Sequence, residues 1–172
     1  MKRILSILLA ALLCISFCAC GAMENALEAI DVPATPKTFT VENLTIDLND
    51  DFFRMDAIAP EYDFCIGSEH ISILGLRVDF AEYELDGIDL WEYAEAYHSV
   101  TEQSTLTELK DLNGIPTMQY EASDDDDSAK TVFIAFYEAS DCFWVLNFAF
   151  DADEYSTLYP LAEQYALSVK CS

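Results

Sequence analysis

The sequence predicts an α+β domain built on an antiparallel sheet, and three observations lead there. Two stretches, Thr131–Glu138 and Cys142–Phe150, are apolar almost throughout (TVFIAFYE, CFWVLNFAF), as central strands covered on both faces must be. Asn113-Gly114 sits between two further extended stretches, and that dipeptide supplies the positive φ angles a tight hairpin needs. Two amphipathic segments, around 89–100 and 154–168, carry the 3.6-residue spacing of helices that cover a sheet. The order reads β-β-β-β-α-β-β-β-β-α, rich in hairpins, and that pattern is α+β rather than alternating α/β.

Residues 1–19 precede this domain as an address. Lys2 and Arg3 are followed by sixteen uncharged residues, Ile4–Ala19, which rise only about 24 Å as a helix against a hydrocarbon core of roughly 30 Å. A basic front and a short apolar run describe a secretory signal. Phe17-Cys18-Ala19-Cys20-Gly21 resembles a bacterial lipobox: an apolar residue, a small residue, then the cysteine that receives diacylglycerol. Cys20 fits this better than Cys14 or Cys18, which follow Leu13 and Phe17. A plain cleaved signal without lipid is the alternative. Acylation at Cys20 supplies two or three chains, enough for stable anchoring where one is marginal, on the outer face of a bacterial cytoplasmic membrane.

Residues 20–38 lack a sustained apolar pattern and contain Pro33 and Pro36, so they are expected to be a tether. As a flexible coil it spans roughly 20–25 Å. The domain is then 39–172. Leu44, Ile46 and Leu48 alternate with Thr45, Asp47 and Asn49, the period of a half-buried strand. Asp63–Gly67 is a short strand, and Ile71–Phe80 follows with Leu74, Leu76, Val78 and Phe80 on one face. Gly87 breaks the chain. Asp89 and Glu92 are spaced as a capping box, and the helix after them places Leu90, Tyr93, Ala94, Tyr97 and Val100 on its inner side. Leu106–Leu112 and Ile115–Ala122 flank the Asn113-Gly114 turn. Asp151 and Asp153 are expected to cap the last helix, whose apolar side is Leu158, Leu161, Tyr165 and Val169, with Pro160 marking a first turn or a kink.

Composition narrows the function classes. The chain has 172 residues and only five glycines, with 32 acidic against 8 basic residues, a formal charge of −24. Loss of residues 1–19 removes Lys2 and Arg3 and no acid, taking the charge to −26. Such a chain repels polyanions, so nucleic acid is not expected as a partner. The 52% apolar content supplies a core, which argues against global disorder despite the charge. With Cys20 acylated, Cys65, Cys142 and Cys171 remain. One disulfide with a free thiol and three free thiols are both compatible with that odd number.

No motif assigns chemistry. Asp124, Asp125, Asp126 and Asp127 are four consecutive carboxylates whose repulsion a weakly held divalent cation such as Ca²⁺ would relieve. The run lacks the spacing that wraps one ion, and a solvated loop protecting sheet edges explains it better. Cys65 and His70 bracket Gly67 as two ends of a hairpin, with no third group to orient a nucleophile–base pair. His98 lies late on the middle helix, a rim or cap position. Tyr93 and Tyr97 fall on the helix face expected to bury; Trp91 is offset from it, and core packing explains these aromatics better than a carbohydrate-stacking surface. No catalytic residue and no cofactor is assigned.

The LTIDL start, the middle helix with Trp91, LNGIPTMQYEA crossing a hairpin into two very apolar strands, and the ending DEYSTLYPLAEQYALSVK together resemble the PsbP-like superfamily, which includes LpqN-type bacterial lipoproteins. The resemblance covers about 39–172. It implies an antiparallel sheet of about six to eight strands sandwiched by helices, a closing helix with a short strand after it, and a binding or assembly role. Three functions are therefore weighed. A lipid-anchored, non-enzymatic module that binds an envelope protein predicts a contiguous exposed apolar patch. A Ca²⁺ sensor or carrier using the acidic loops predicts cation-dependent stability. A cell-wall hydrolase predicts a deep pocket with convergent polar groups.

Overall fold

The computed structural model of this chain describes residues 37–55, 62–85, 87–103, 105–123 and 129–172. Residues 1–36, with the expected signal segment, the expected lipidation site Cys20 and most of the expected tether, and the acidic run Asp124, Asp125, Asp126 and Asp127 lie outside them. The architecture is α+β, with one seven-stranded and one three-stranded antiparallel sheet.

The larger sheet holds β3 (Phe53–Met55), β4 (Phe64–Gly67), β5 (Ile71–Asp79), β6 (Lys110–Leu112), β7 (Ile115–Ser123), β8 (Ala129–Glu138) and β9 (Cys142–Asp151), in the order β3-β4-β5-β9-β8-β7-β6. The two apolar runs are its centre: β9 pairs with both β5 and β8. Both β8 and β9 are buried at almost every position, as their continuous apolar sequence requires. The Asn113-Gly114 hairpin joins β6 to β7, with φ of +54° and +91° at its two central residues, the left-handed pair of a type I′ turn.

Alternate residues of the central strands feed two cores. Phe133, Ala135, Tyr137, Trp144, Leu146, Phe148 and Phe150 face the larger core. That face is covered by α3 (Tyr155–Ser168) and by the smaller sheet, β1 (Lys37–Val41), β2 (Leu44–Leu48) and β10 (Lys170–Cys171), ordered β1-β2-β10. Phe39, Leu44, Ile46 and Leu48 enter the same core, so LTIDL is half-buried as its alternation predicts. Val132, Ile134, Phe136 and Val145 face the other way, into a smaller core with Ala94 and Met118. Its cover is α2 (Leu90–Val100), which lies over β7 and β8. The four-residue helix α1 (Phe80–Tyr83) continues from the end of β5.

The structure corrects several expectations. β1 and the three-residue β3 have no counterpart in the sequence reading, because neither KTFTV beside two prolines nor FRM carries a long period. Of Leu106–Leu112, only Lys110–Leu112 is strand. Upstream, the Thr105 and Thr107 hydroxyls accept the Glu121 and Gln119 amide N–H groups at 2.7 and 3.1 Å. Side chains there replace part of a backbone ladder. Asp151 and Asp153 do not cap the last helix: it is entered through a 3₁₀ turn, Ala152–Glu154, with no side-chain cap bond. Asp151 instead meets Lys130 Nζ at 2.5 Å. Of the two readings of Pro160, the first turn is excluded, since it sits inside α3. Val100, expected on the inner face of α2, is 74% exposed.

The smaller sheet is locked to β9 by one side chain in the β1–β2 turn. Asn43 Oδ1 accepts the Trp144 indole N–H at 2.8 Å and Asn43 Nδ2 donates to Asp141 at 2.9 Å. Its carbonyl takes the Ser172 N–H at 3.0 Å. Trp144 is fully buried, so Asn43→Ala leaves its N–H without that acceptor, at a cost of about 1–3 kcal/mol. Gly75 presses on the Phe64 ring, and a Cβ there would lie 2.0 Å from Phe64 Cε1. Gly75→Ala should therefore also cost about 1–3 kcal/mol. Urea unfolding of both variants checks this: the midpoints should fall with unchanged slope.

Candidate functional site

Among the described residues the α2 face holds an open groove, and this is the candidate site. Residues from three elements line an open groove of about 480 Å³: Leu76, Arg77 and Val78 of β5; Tyr83 and Leu85 at and after α1; and Tyr93, Ala96, Tyr97 and Val100 of α2. Its volume lies within the roughly 300–1,000 Å³ of ligand clefts.

Local sequence explains each wall. The Asp89–Glu92 capping box is formed in both directions, which fixes where α2 starts and hence which residues face inward. Tyr93 stacks on Phe143 at 4.5 Å between ring centroids, and Tyr97 meets Phe136 edge-on at 5.3 Å. These contacts hold one side of each tyrosine against the sheet and leave the other in the groove. Asp79 caps α1 by accepting from the Ala81 and Glu82 amides, and Glu84 ends it in a left-handed conformation at φ +54°. That turn puts Tyr83, 58% exposed, and Leu85 opposite α2.

Arg77 is the one cation among the groove's lining residues, and three carboxylates lie close to it. It lies 3.1 Å from Glu42, 2.8 Å from Asp79 and 2.8 Å from Asp141. The guanidinium hydrogen bond, together with the α1 amides, holds the Asp79 carboxyl below its ordinary pKa. Burial, with Tyr97 and Tyr83 adding to it, pushes the Tyr93 hydroxyl up to about 12, and burial raises Tyr97 as well. The groove therefore offers neutral hydroxyls on an apolar floor. Further along the same sheet, Asn147 is 6% exposed and donates to the Tyr62 hydroxyl at 3.1 Å. Among the described residues its Oδ1 has no partner.

The residues singled out for chemistry are placed elsewhere. Cys65 is buried in β4 with its thiol 3.9 Å from Met55 Sδ. His70, in the β4–β5 turn, stands 3.5 Å from Glu154. His98 Nε2 is 3.0 Å from the Thr107 carbonyl and ties the end of α2 to the segment before β6. Trp91 is partly buried and does not line the groove. The candidate cation ligands Asp124, Asp125, Asp126 and Asp127 belong to the link between β7 and β8, outside the described residues. Cys65, Cys142 and Cys171 are all free thiols, each raised chiefly by burial, Cys171 to about 11. Among the described residues no group of His, Cys, Asp or Glu is arranged to hold a metal ion, and no helix is long and apolar enough to cross a membrane.

Tyr93 and Tyr97 carry the sequence signal for the site. Their i, i+4 spacing points them at the sheet, and the structure agrees. What sequence does not give is that the residues facing them, Tyr83 and Leu85, stand far enough away to leave space.

No protein-family model and no curated protein matches the sequence. Solved structures do. A protein from Bacteroides thetaiotaomicron matches at TM-score 0.52 and 8% identity over 79% of this chain, which spans 48% of that protein's length. LpqN from Mycobacterium tuberculosis matches at TM-score 0.49 and 15% identity, covering 80% of this chain and 90% of its own. Cyanobacterial PsbP from Synechocystis matches at TM-score 0.52 and 8% identity, over 84% of this chain and 96% of its own. That last match, nearly complete in both chains, makes the fold PsbP-like.

The thiols, buried at Cys65 and Cys142 and half-buried at Cys171, should be poor nucleophiles. A raised pKa means less thiolate, the reactive form, so the three domain cysteines should react slowly with iodoacetamide near pH 8 and quickly once the chain is unfolded. For Cys171 the folded state disfavours ionisation, so its contribution to stability is complete below the ordinary thiol value near 9 and is lost as pH rises toward 11. Denaturant midpoints across that window should fall, and less so in Cys171→Ser.

Proposed function

We propose that this protein is a lipid-anchored, non-enzymatic module on the outer face of a bacterial cytoplasmic membrane, which binds an envelope protein through the α2 groove. The carrying observation is that, among the described residues, a groove lined by apolar and aromatic side chains lies open beside α2. Tyr83 and Val100 stand at its edge, and Ile88, in the loop after Leu85, is 39% exposed. Exposure of this kind has a cost in solvent and marks interaction sites. The lipobox-like stretch ending at Cys20 supplies the tether. The engagement of Arg77, the burial of the thiols and the pairing of His70 with Glu154 weigh against a hydrolytic reading.

Photocrosslinking in cells tests this. A benzophenone side chain at Val100 in the full-length protein should trap one recurrent protein. The same group at Leu167, exposed on α3 and absent from the groove's lining, should not. Replacing Cys20 by Ala should abolish the Val100 product by releasing the tether. Equal products from both positions, or none from Val100, would contradict the reading.

A further inference from the structure

We infer that the segment occupying the α2 groove is cationic and inserts a large apolar side chain; this rests on the protein-binding role proposed above. The groove's floor and walls are apolar, so they reward burial of an apolar anchor. Its surroundings carry one sign of charge. Glu82 and Glu84 flank Tyr83, and both are exposed. Arg77 adds no opposing field, since Glu42, Asp79 and Asp141 already surround it. An exposed tyrosine with exposed carboxylates on either side of it in the chain suits arginine and lysine, which take charge-assisted hydrogen bonds and cation–π contact.

Acidity alone specifies nothing in a chain of charge −24, because repulsion from other acidic surfaces is reason enough for it. The specific feature is the coincidence of acid with exposed apolar side chains. The apolar surface reaches the groove's rim at Tyr83 and Val100, 58% and 74% exposed. A small ligand would leave that margin wet, whereas a protein segment covers floor and margin together.

The test uses the full-length protein in phosphatidylcholine nanodiscs, with empty discs as blank, and a dye-labelled peptide of arginine and tryptophan in a serine background, read by fluorescence anisotropy. Two control peptides replace arginine by glutamate or tryptophan by serine. The Arg/Trp peptide should bind, and each control should bind at least about tenfold more weakly. Val100→Asp separates the groove from bulk charge. It adds a carboxylate, so simple attraction would hold or tighten binding, whereas loss of the apolar wall should weaken it about tenfold. Tyr83→Ser, in a different element, should act likewise, and Leu167→Asp should have no effect.

Equal binding of the glutamate peptide would overturn the inference, as would undiminished binding to both Val100→Asp and Tyr83→Ser. So would a Val100 crosslink in cells to a neutral or acidic segment, while leaving the binding role intact. Failure of crosslinking with peptide binding preserved would instead remove the cellular role and keep the chemistry of the groove.

Discussion

Everything in this fold depends on one constraint: β8 and β9 are apolar on both faces. A sheet whose centre reads TVFIAFYE and CFWVLNFAF cannot leave either side in water, since each large side chain left wet forgoes about 1.5–3 kcal/mol. The chain meets the demand unequally. One face receives α3 and a second sheet, whose closing strand is the last element of the chain. The other receives α2, set over β7 and β8. Among the described residues, the groove lies between that helix and β5.

The unequal cover is held in place by polar contacts rather than by more core. Asn43 joins the β1–β2 turn to Trp144, Asp141 and the Ser172 backbone. Arg77 gathers Glu42 from that turn, Asp79 from its own strand and Asp141 from the β8–β9 turn. Both clusters lie at the same end of β9, where Cys142 begins the strand. The arginine that helps tie the smaller sheet down thus also forms part of the groove wall. Burial and site are connected there through a single side chain.

Much of this is legible in the sequence because the relevant signals are local. The Asn113-Gly114 turn, the Asp89–Glu92 capping box and the two-faced strands each follow from neighbouring residues, and each stands where expected. The misses are cases where distant partners decide. Phe53–Met55 is strand because β4 lies beside it, and Lys37–Val41 because LTIDL folds back on it. Asp151 reads as a cap from its position before a helix, yet Lys130 on the neighbouring strand takes its carboxylate. Val100 fits the inner periodicity of α2 but is the last residue of the helix, at the open groove, and is 74% exposed. Tyr93 and Tyr97 show the same limit for the site: periodicity gives their direction, and only the packing of α1 and its loop leaves room beside them.

The central claim is that the open face of this sheet is occupied in the cell by a partner. Site-directed accessibility addresses it with one reagent. Val100→Cys and Leu167→Cys, each in the full-length protein, are treated with a membrane-impermeant maleimide on intact cells and again after purification. Both positions are exposed, so both should label fully in the purified protein. The account predicts that in cells Leu167→Cys still labels while Val100→Cys is protected. Equal labelling of the two in cells would mean that nothing sits on the α2 face, and would contradict the account.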